Sequence, residues 1–275
     1  MVMSRTRASG AAGPKKAQPA PGTYGMVSKQ PLQILVFLLP LVILYELGLA
    51  MLLRTEGGVQ TVTAHKTIID LFVTFGVTPT DGLLLGGMAI VIVLLIWHLL
   101  NRDPWHIDPV TPGLMALESL LLTVPLIVLG LIIGGSPDAA GVTAIGAGEP
   151  PAAVEIASMS IWSKLAISIG AGLYEELLFR MLLIAVLHTM LVDVGKIGSG
   201  LGAVIAVGIS AAAFTWYHPL ADAHGGLAIE KAVFYFLAGL YFGAVYVLRG
   251  FGIVVGVHAI YDIVTVSMLH DPAGG

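Results

Sequence analysis

Residues 161–187 read IWSKLAISIGAGLYEELLFRMLLIAVL. As a helix this run is about 40 Å long, more than the ~30 Å of a bilayer's hydrocarbon core. It is apolar apart from Lys164, Glu175, Glu176 and Arg180. Charge inside a bilayer costs several kcal/mol, so an ionisable residue there is a functional hypothesis by default. Glu176 and Arg180 are i,i+4 neighbours on one helix face and can pair, in the favourable order of acid before base. Glu175 points about 100° away. It lacks that partner and keeps a carboxyl group suited to general acid or base work. The competing reading is a buried ion-pair network that only fixes helix packing.

The rest of the chain agrees with a membrane setting. Of 275 residues, 57% are hydrophobic and 11% charged, and the mean hydropathy is +0.93. A soluble domain carries about a quarter charged residues, so a soluble globular fold is excluded. The absence of cysteine removes disulfide scaffolds, thiolate metal sites and cysteine nucleophiles. A net charge of −4 gives no electrostatic reason to expect nucleic acid as a partner. Six more apolar runs lie near 32–53, 82–100, 113–134, 201–217, 231–248 and 251–269. The expected fold is therefore all-α: a polytopic integral membrane helix bundle of about seven (six to eight) transmembrane helices, with the lipid bilayer as its partner. Arg249 and Gly250 alone separate the last two runs, which predicts a tight helical hairpin.

Outside the spans, residues 1–30 carry Arg5, Arg7, Lys15, Lys16 and Lys29 and no acid. They read as a disordered basic tail rather than a cleavable signal peptide. Residues 65–76 read as a short interfacial helix. Residues 31–140 form an N-terminal set of membrane helices, 141–159 an external loop rich in Gly, Pro and Ala, and 160–270 a membrane core. The distribution of Lys and Arg favours a multi-pass protein of the cell (inner or plasma) membrane, with its N-terminus in the cytoplasm and its C-terminus outside.

Two further polar clusters fall within spans. One is Phe214-Thr215-Trp216-Tyr217-His218, just before Pro219. Alone it reads more readily as part of an interfacial aromatic belt. The other is His258-Ala259-Ile260-Tyr261-Asp262, where i,i+4 spacing puts His258 and Asp262 on one face. Such a pair can orient an imidazole or offer two metal ligands in register, or simply pack together. Counting helical rise from the run boundaries places Glu175 and His258 at similar depths and His218 about 13 Å higher. The fifth span then either begins later, near Val207, or tilts around a water-filled cavity.

These residues resemble the CAAX protease and bacteriocin-processing family of intramembrane proteases. That family's motifs are E-E-x-x-x-R, F-x-x-x-H and H-x-x-x-N or H-x-x-x-D on separate transmembrane helices. Here they stand as Glu175-Glu176-x-x-x-Arg180, Phe214-x-x-x-His218 and His258-x-x-x-Asp262, in the same order. The resemblance covers about residues 161–265. It implies a membrane-embedded endopeptidase, metallo- or glutamate-type, acting on a membrane-associated protein or peptide. By that resemblance Glu175 activates water with His218, while His258 and the residue at 262 stabilise the oxyanion. Glu176, Arg180 and Phe214 support them. An ionised Asp262 cannot donate a hydrogen bond. It must be protonated, orient His258 or bind a metal, which tilts the expectation toward zinc or another divalent cation. Glu175, His218, His258 and Asp262 are the candidate ligands, though not all at once, since a catalytic metal keeps one position open.

Two readings from other classes stand beside the peptidase. Intramembrane Glu, His and Asp also mark transporters and proton relays, and a non-catalytic scaffold could keep the motifs for packing. Among the remaining polar residues, Glu46 and Glu118 read as packing groups or as the lining of a lateral opening. His98, His106, His188, His224 and His270 read as interfacial, and Lys164 and Lys231 as membrane-surface anchors. Gly86, Gly87, Gly170, Gly172, Gly239 and Gly243 read as sites of close helix packing.

Overall fold

The computed structural model of the chain describes residues 22–55, 58–59, 61–134, 159–222 and 226–268. A single helical turn, α1 (Tyr24–Val27), precedes α2 (Pro31–Met51), which Pro31 opens from its first turn. A two-residue antiparallel pair, β1 (Arg54–Thr55) and β2 (Gly58–Val59), turns the chain into α3 (Thr63–Thr74). Next come α4 (Pro79–Asn101) and α5 (Thr111–Gly134). Thr78 caps α4 by accepting from the Asp81 backbone. Asp108 prepares the start of α5 by accepting from the Thr111 hydroxyl and the Val110 amide, and these bonds hold its carboxyl below the ordinary carboxylate range.

The C-terminal half holds four helices. The first, α6, is continuous from Ile161 to Val194, with π-helical segments at Leu177–Leu183 and Thr189–Val194. It is followed by α7 (Ser199–Tyr217), α8 (Ile229–Arg249) and α9 (Phe251–Met268). Among the described residues, six helices are long and apolar enough to cross a membrane, and α9 is a shorter apolar helix. The chain is thus a polytopic helical bundle, with all seven expected runs found as helices. The 65–76 run is α3, and the expected hairpin is α8–α9, turning at Gly250 with φ +93°.

The polarity of the bundle is inverted relative to a soluble protein. Leu39, Ile43, Leu47, Leu121 and Ile132 face outward, while the intramembrane carboxyls, guanidinium and imidazoles of the C-terminal half are inside. Helix α9 runs through the middle, with every residue from Phe251 to Ala259 buried. It packs most extensively on α6 and next on α5. Small residues set these approaches. A Cβ on Gly172 of α6 would lie 2.8 Å from the Ala259 backbone nitrogen, and one on Gly239 of α8 would lie 2.9 Å from the Ala211 Cα.

Several expectations change here. Residues 22–30 of the expected tail are folded: Tyr24 donates to Glu118 at 2.5 Å, and Arg249 closes the cluster with a two-pronged ion pair to the same carboxylate. Residues 1–21, the external loop up to residue 158, His224 and His270 lie outside the described residues. Lys164 is buried rather than anchored at the surface, because the first turns of α6 pack against α2 where Gly48 meets Ala166. His98 is buried as well, edge-on to Trp105 at 4.5 Å.

Candidate active site

The fourth, fifth and seventh apolar runs bring their polar residues to one place. Glu175 Oε2 lies 3.6 Å from His218 Nε2 and 3.9 Å from His258 Nε2, and His258 Nε2 lies 3.6 Å from Asp262 Oδ2. Glu175, Glu176, Arg180 and Asp262 are 0% exposed, and His218 and His258 at most 3%. No bulk solvent reaches these charges, so they must satisfy one another or hold a guest.

The depth mismatch counted from the sequence is absent. Helix α6 runs to Val194, beyond the expected end at 187, and α7 begins at Ser199 rather than near Val207. Glu175 stands nineteen residues before Val194 and His218 nineteen after Ser199. Both therefore lie about 28 Å from the turn that joins the two helices.

Each imidazole is fixed through its Nδ1. The His218 Nδ1 donates to the Phe214 carbonyl at 2.7 Å, four residues back. The His258 Nδ1 donates to Glu176 Oε1 at 2.7 Å. That same oxygen meets Arg180 Nη1 at 3.1 Å, the i,i+4 pair expected from spacing. In the neutral rings both Nε2 atoms then carry lone pairs aimed at the centre. Rings hold the set laterally. His218 stacks on Tyr235 at 4.1 Å and His258 on Phe242 at 4.6 Å. The Arg180 guanidinium lies 4.3 Å over the Phe214 ring, a cation–π contact. The π-helical start of this stretch is tied to α7 by Ser210, whose hydroxyl donates to the Phe179 carbonyl at 2.8 Å.

The result is a ring of acceptors. Glu175 Oε1 and Oε2, His218 Nε2 and both Asp262 oxygens have no hydrogen-bond partner. Beside them is a narrow cavity, lined among others by His218, Tyr235, His258, Tyr261 and Asp262, with room for about one water. Lone pairs facing one another require protons or a cation between them. Imidazole and carboxylate are zinc-type donors, yet among the described residues no three such side chains are drawn together as a metal cage.

Residues 157–264 match the family model described as type II CAAX prenyl endopeptidase Rce1-like. This region is similar to that family. All three polar clusters fall inside it. No curated protein and no solved structure matches the chain. The match supports a CAAX-type intramembrane endopeptidase at the level of the family, and the apolar helices mark a multi-pass membrane protein.

Some contacts could not be foreseen. Glu176 serves two partners, and its bond to His258 crosses between helices, which spacing along one helix does not reveal. The platforms Tyr235 and Phe242 gave no signal beyond aromatic character. A second polar cluster adjoins the Rce1-like site. His65 Nδ1 meets the Tyr45 and Thr61 hydroxyls at 2.9 Å each, and its ring stacks on Tyr174 at 4.2 Å. Gly86 leaves the space for that imidazole and Gly87 the space for the Glu46 carboxyl. This is a more specific role than close helix packing.

Proposed function

We propose that the chain is an intramembrane endopeptidase in which Glu175 activates the water that attacks a peptide bond of a membrane-associated protein or peptide. The observation that carries this reading is the meeting of Glu175, His218 and His258, from three helices, within 3.6 and 3.9 Å in a solvent-free interior. Two acceptors 3.6 Å apart can both be reached by one water at about 2.8 Å. Such a water donates one hydrogen to Glu175 and one to His218, leaving its own lone pair for the carbonyl carbon. Glu175 takes a proton as the new C–O bond forms and the carbonyl π pair moves onto oxygen. Collapse of the tetrahedral intermediate breaks the C–N bond, and the proton on Glu175 passes to the leaving amine. Glu176 and Arg180 act through His258 by fixing its Nδ1.

No step above passes through a metal. If a divalent cation is resident, donors from Glu175, His218, His258 and Asp262 would hold it, and it would polarise the same water. Metal analysis of the purified chain and of an H218A/H258A variant separates the two. Stoichiometric zinc lost in the variant assigns the lone pairs to a metal, and none in either assigns them to protons.

The activity test uses proteoliposomes and a panel of internally quenched peptides, anchored by a farnesyl group on a C-terminal CAAX sequence, by acyl chains or by one transmembrane helix. Cleavage of one class is expected, with E175Q reducing kcat at least about 10³-fold. Cleavage that persists at full rate in E175Q refutes the assignment.

A further inference from the structure

An amide oxygen that gains charge during hydrolysis needs hydrogen-bond donors, and most of the polar atoms facing the centre are acceptors by type. His218 and His258 have each spent Nδ1–H on another partner, so their neutral Nε2 atoms only accept. Ionised Glu175 and Asp262 also only accept. The Arg180 guanidinium pairs with Glu176, reaches the Gly239 carbonyl at 3.4 Å and lies over the Phe214 ring; its Nε and Nη1 make no hydrogen bond, but Arg180 does not line the cavity. A buried site that develops an oxyanion with no donor aimed at it would forfeit the largest single contribution to catalysis.

We infer that Tyr261 supplies a donor at the cavity, hydrogen-bonding the substrate carbonyl oxygen as it becomes the oxyanion. Tyr261 is 3% exposed, its hydroxyl has no hydrogen-bond partner, and it lines the same cavity as His218, His258 and Asp262. Its place on α9 explains why. It follows His258 by three residues and precedes Asp262 by one, so Tyr261 and Asp262 flank His258 on one face, at about −60° and +40°. Its ring packs against Phe234 at 6.1 Å with the planes 28° apart, which holds the phenol without using its hydroxyl. The neighbouring phenols are otherwise placed. Tyr235 lies flat on His218, and the Tyr217 hydroxyl faces Thr63 and the Ala64 backbone at the start of α3. A phenol donates in its ordinary neutral state, whereas His258 donates from Nε2 only as the imidazolium. Tyr261 keeps its proton throughout: the water's proton still goes to Glu175 and then to the leaving amine.

This inference rests on the endopeptidase reading, and the experiment separates the two. Wild type, Y261F and E175Q are compared in proteoliposomes on the anchored peptide that the wild type cleaves. Y261F is expected to lose about 10²–10³-fold in kcat, with KM within a few-fold and an unchanged thermal midpoint, since the ring against Phe234 is kept. Full kcat in Y261F beside an inactive E175Q overturns the inference and leaves the peptidase intact. A wild type that cleaves no peptide, or an E175Q as active as wild type, overturns the underlying reading and the inference with it. If Y261F does not fold, 3-fluorotyrosine placed at 261 decides. It keeps shape and hydroxyl but is a stronger donor, so a changed kcat supports the role and an unchanged kcat refutes it.

Discussion

Gly172→Ala tests how tightly the site depends on the seam between α6 and α9. The added methyl would sit 2.8 Å from the Ala259 nitrogen, 2.9 Å from its Cβ and 3.0 Å from its Cα. Ordinary contact begins at 3.4 Å, so the helices must part by about 0.6 Å. No side-chain rotation relieves this, because backbone faces the methyl. Overpacking of this kind costs about 1–3 kcal/mol, a fall in thermal midpoint of roughly 3–10 °C. Gly172 precedes Glu175 by less than one helical turn and Ala259 adjoins His258, so the separation appears directly in the Glu175–His258 distance of 3.9 Å. A 1 Å misplacement can cost about 100-fold in rate, so 0.6 Å predicts a loss of roughly tenfold. Tryptophan fluorescence melts in detergent read the stability, and cleavage of an anchored peptide reads the rate. Gly208→Ala is the control: nothing lies within 4 Å of its Cβ, and removing a helix glycine there is expected to be neutral or stabilising by about 0.5–1 kcal/mol. A G172A protein that melts within 1 °C of wild type and cleaves at full rate would refute the seam argument.

Three more outcomes follow from the same network. Glu176→Gln strands the buried Arg180 guanidinium and loosens His258. It should destabilise by about 3–5 kcal/mol, and an unchanged melting midpoint would contradict the pairing. Asp262→Asn gives the side chain a donor at the edge of the cavity. The variant should fold and keep or raise kcat, and a large loss would mean that the Asp262 charge itself is needed. His65, on the non-spanning α3, has its pKa pushed down to about 4 by burial. The unfolded state therefore binds the extra proton between about pH 6.5 and 4. Stability from this group is complete above pH 6.5 and declines as pH falls, by about 2 kcal/mol from pH 7 to 5. Comparing melts at the two pH values in wild type and H65N isolates that share, and equal pH dependence in both would exclude His65 as its source.

How much of this was readable from the sequence depended on distance along the chain. The apolar runs and the pairs Glu176–Arg180 and His258–Asp262 were legible because helical periodicity makes residues four apart into neighbours. The bond from Glu176 to His258 was not, because it depends on how two helices rotate against each other. The relative depth of Glu175 and His218 was misjudged because the helix carrying Glu175 was fitted to one bilayer thickness. The run from 161 was closed at 187, where polar residues begin, while the helix continues through a π-helical segment to Val194. Lys164 and His98 were read as interfacial from their positions near span ends, but burial there is decided by what packs over the end, not by distance to it. The His65 cluster left one trace, the adjacent pair Gly86–Gly87, whose missing side chains make room for polar groups of two other helices.

The α6–α9 seam also governs how the chain enters the bilayer during synthesis. Helix α6 carries Lys164, Glu175, Glu176 and Arg180, and α9 carries His258 and Asp262. Offered singly to lipid, a central Asp, Lys or Arg opposes insertion by about 2.5–3.5 kcal/mol. The imidazole that bonds Glu176 lies on a helix that begins only at Phe251, so α6 leaves the ribosome well before its partner exists. The pair most closely joined in the finished bundle is thus the pair least suited to entering alone. A nascent chain halted before Phe251 lacks the imidazole that bonds Glu176 and leaves that carboxylate to Arg180 alone.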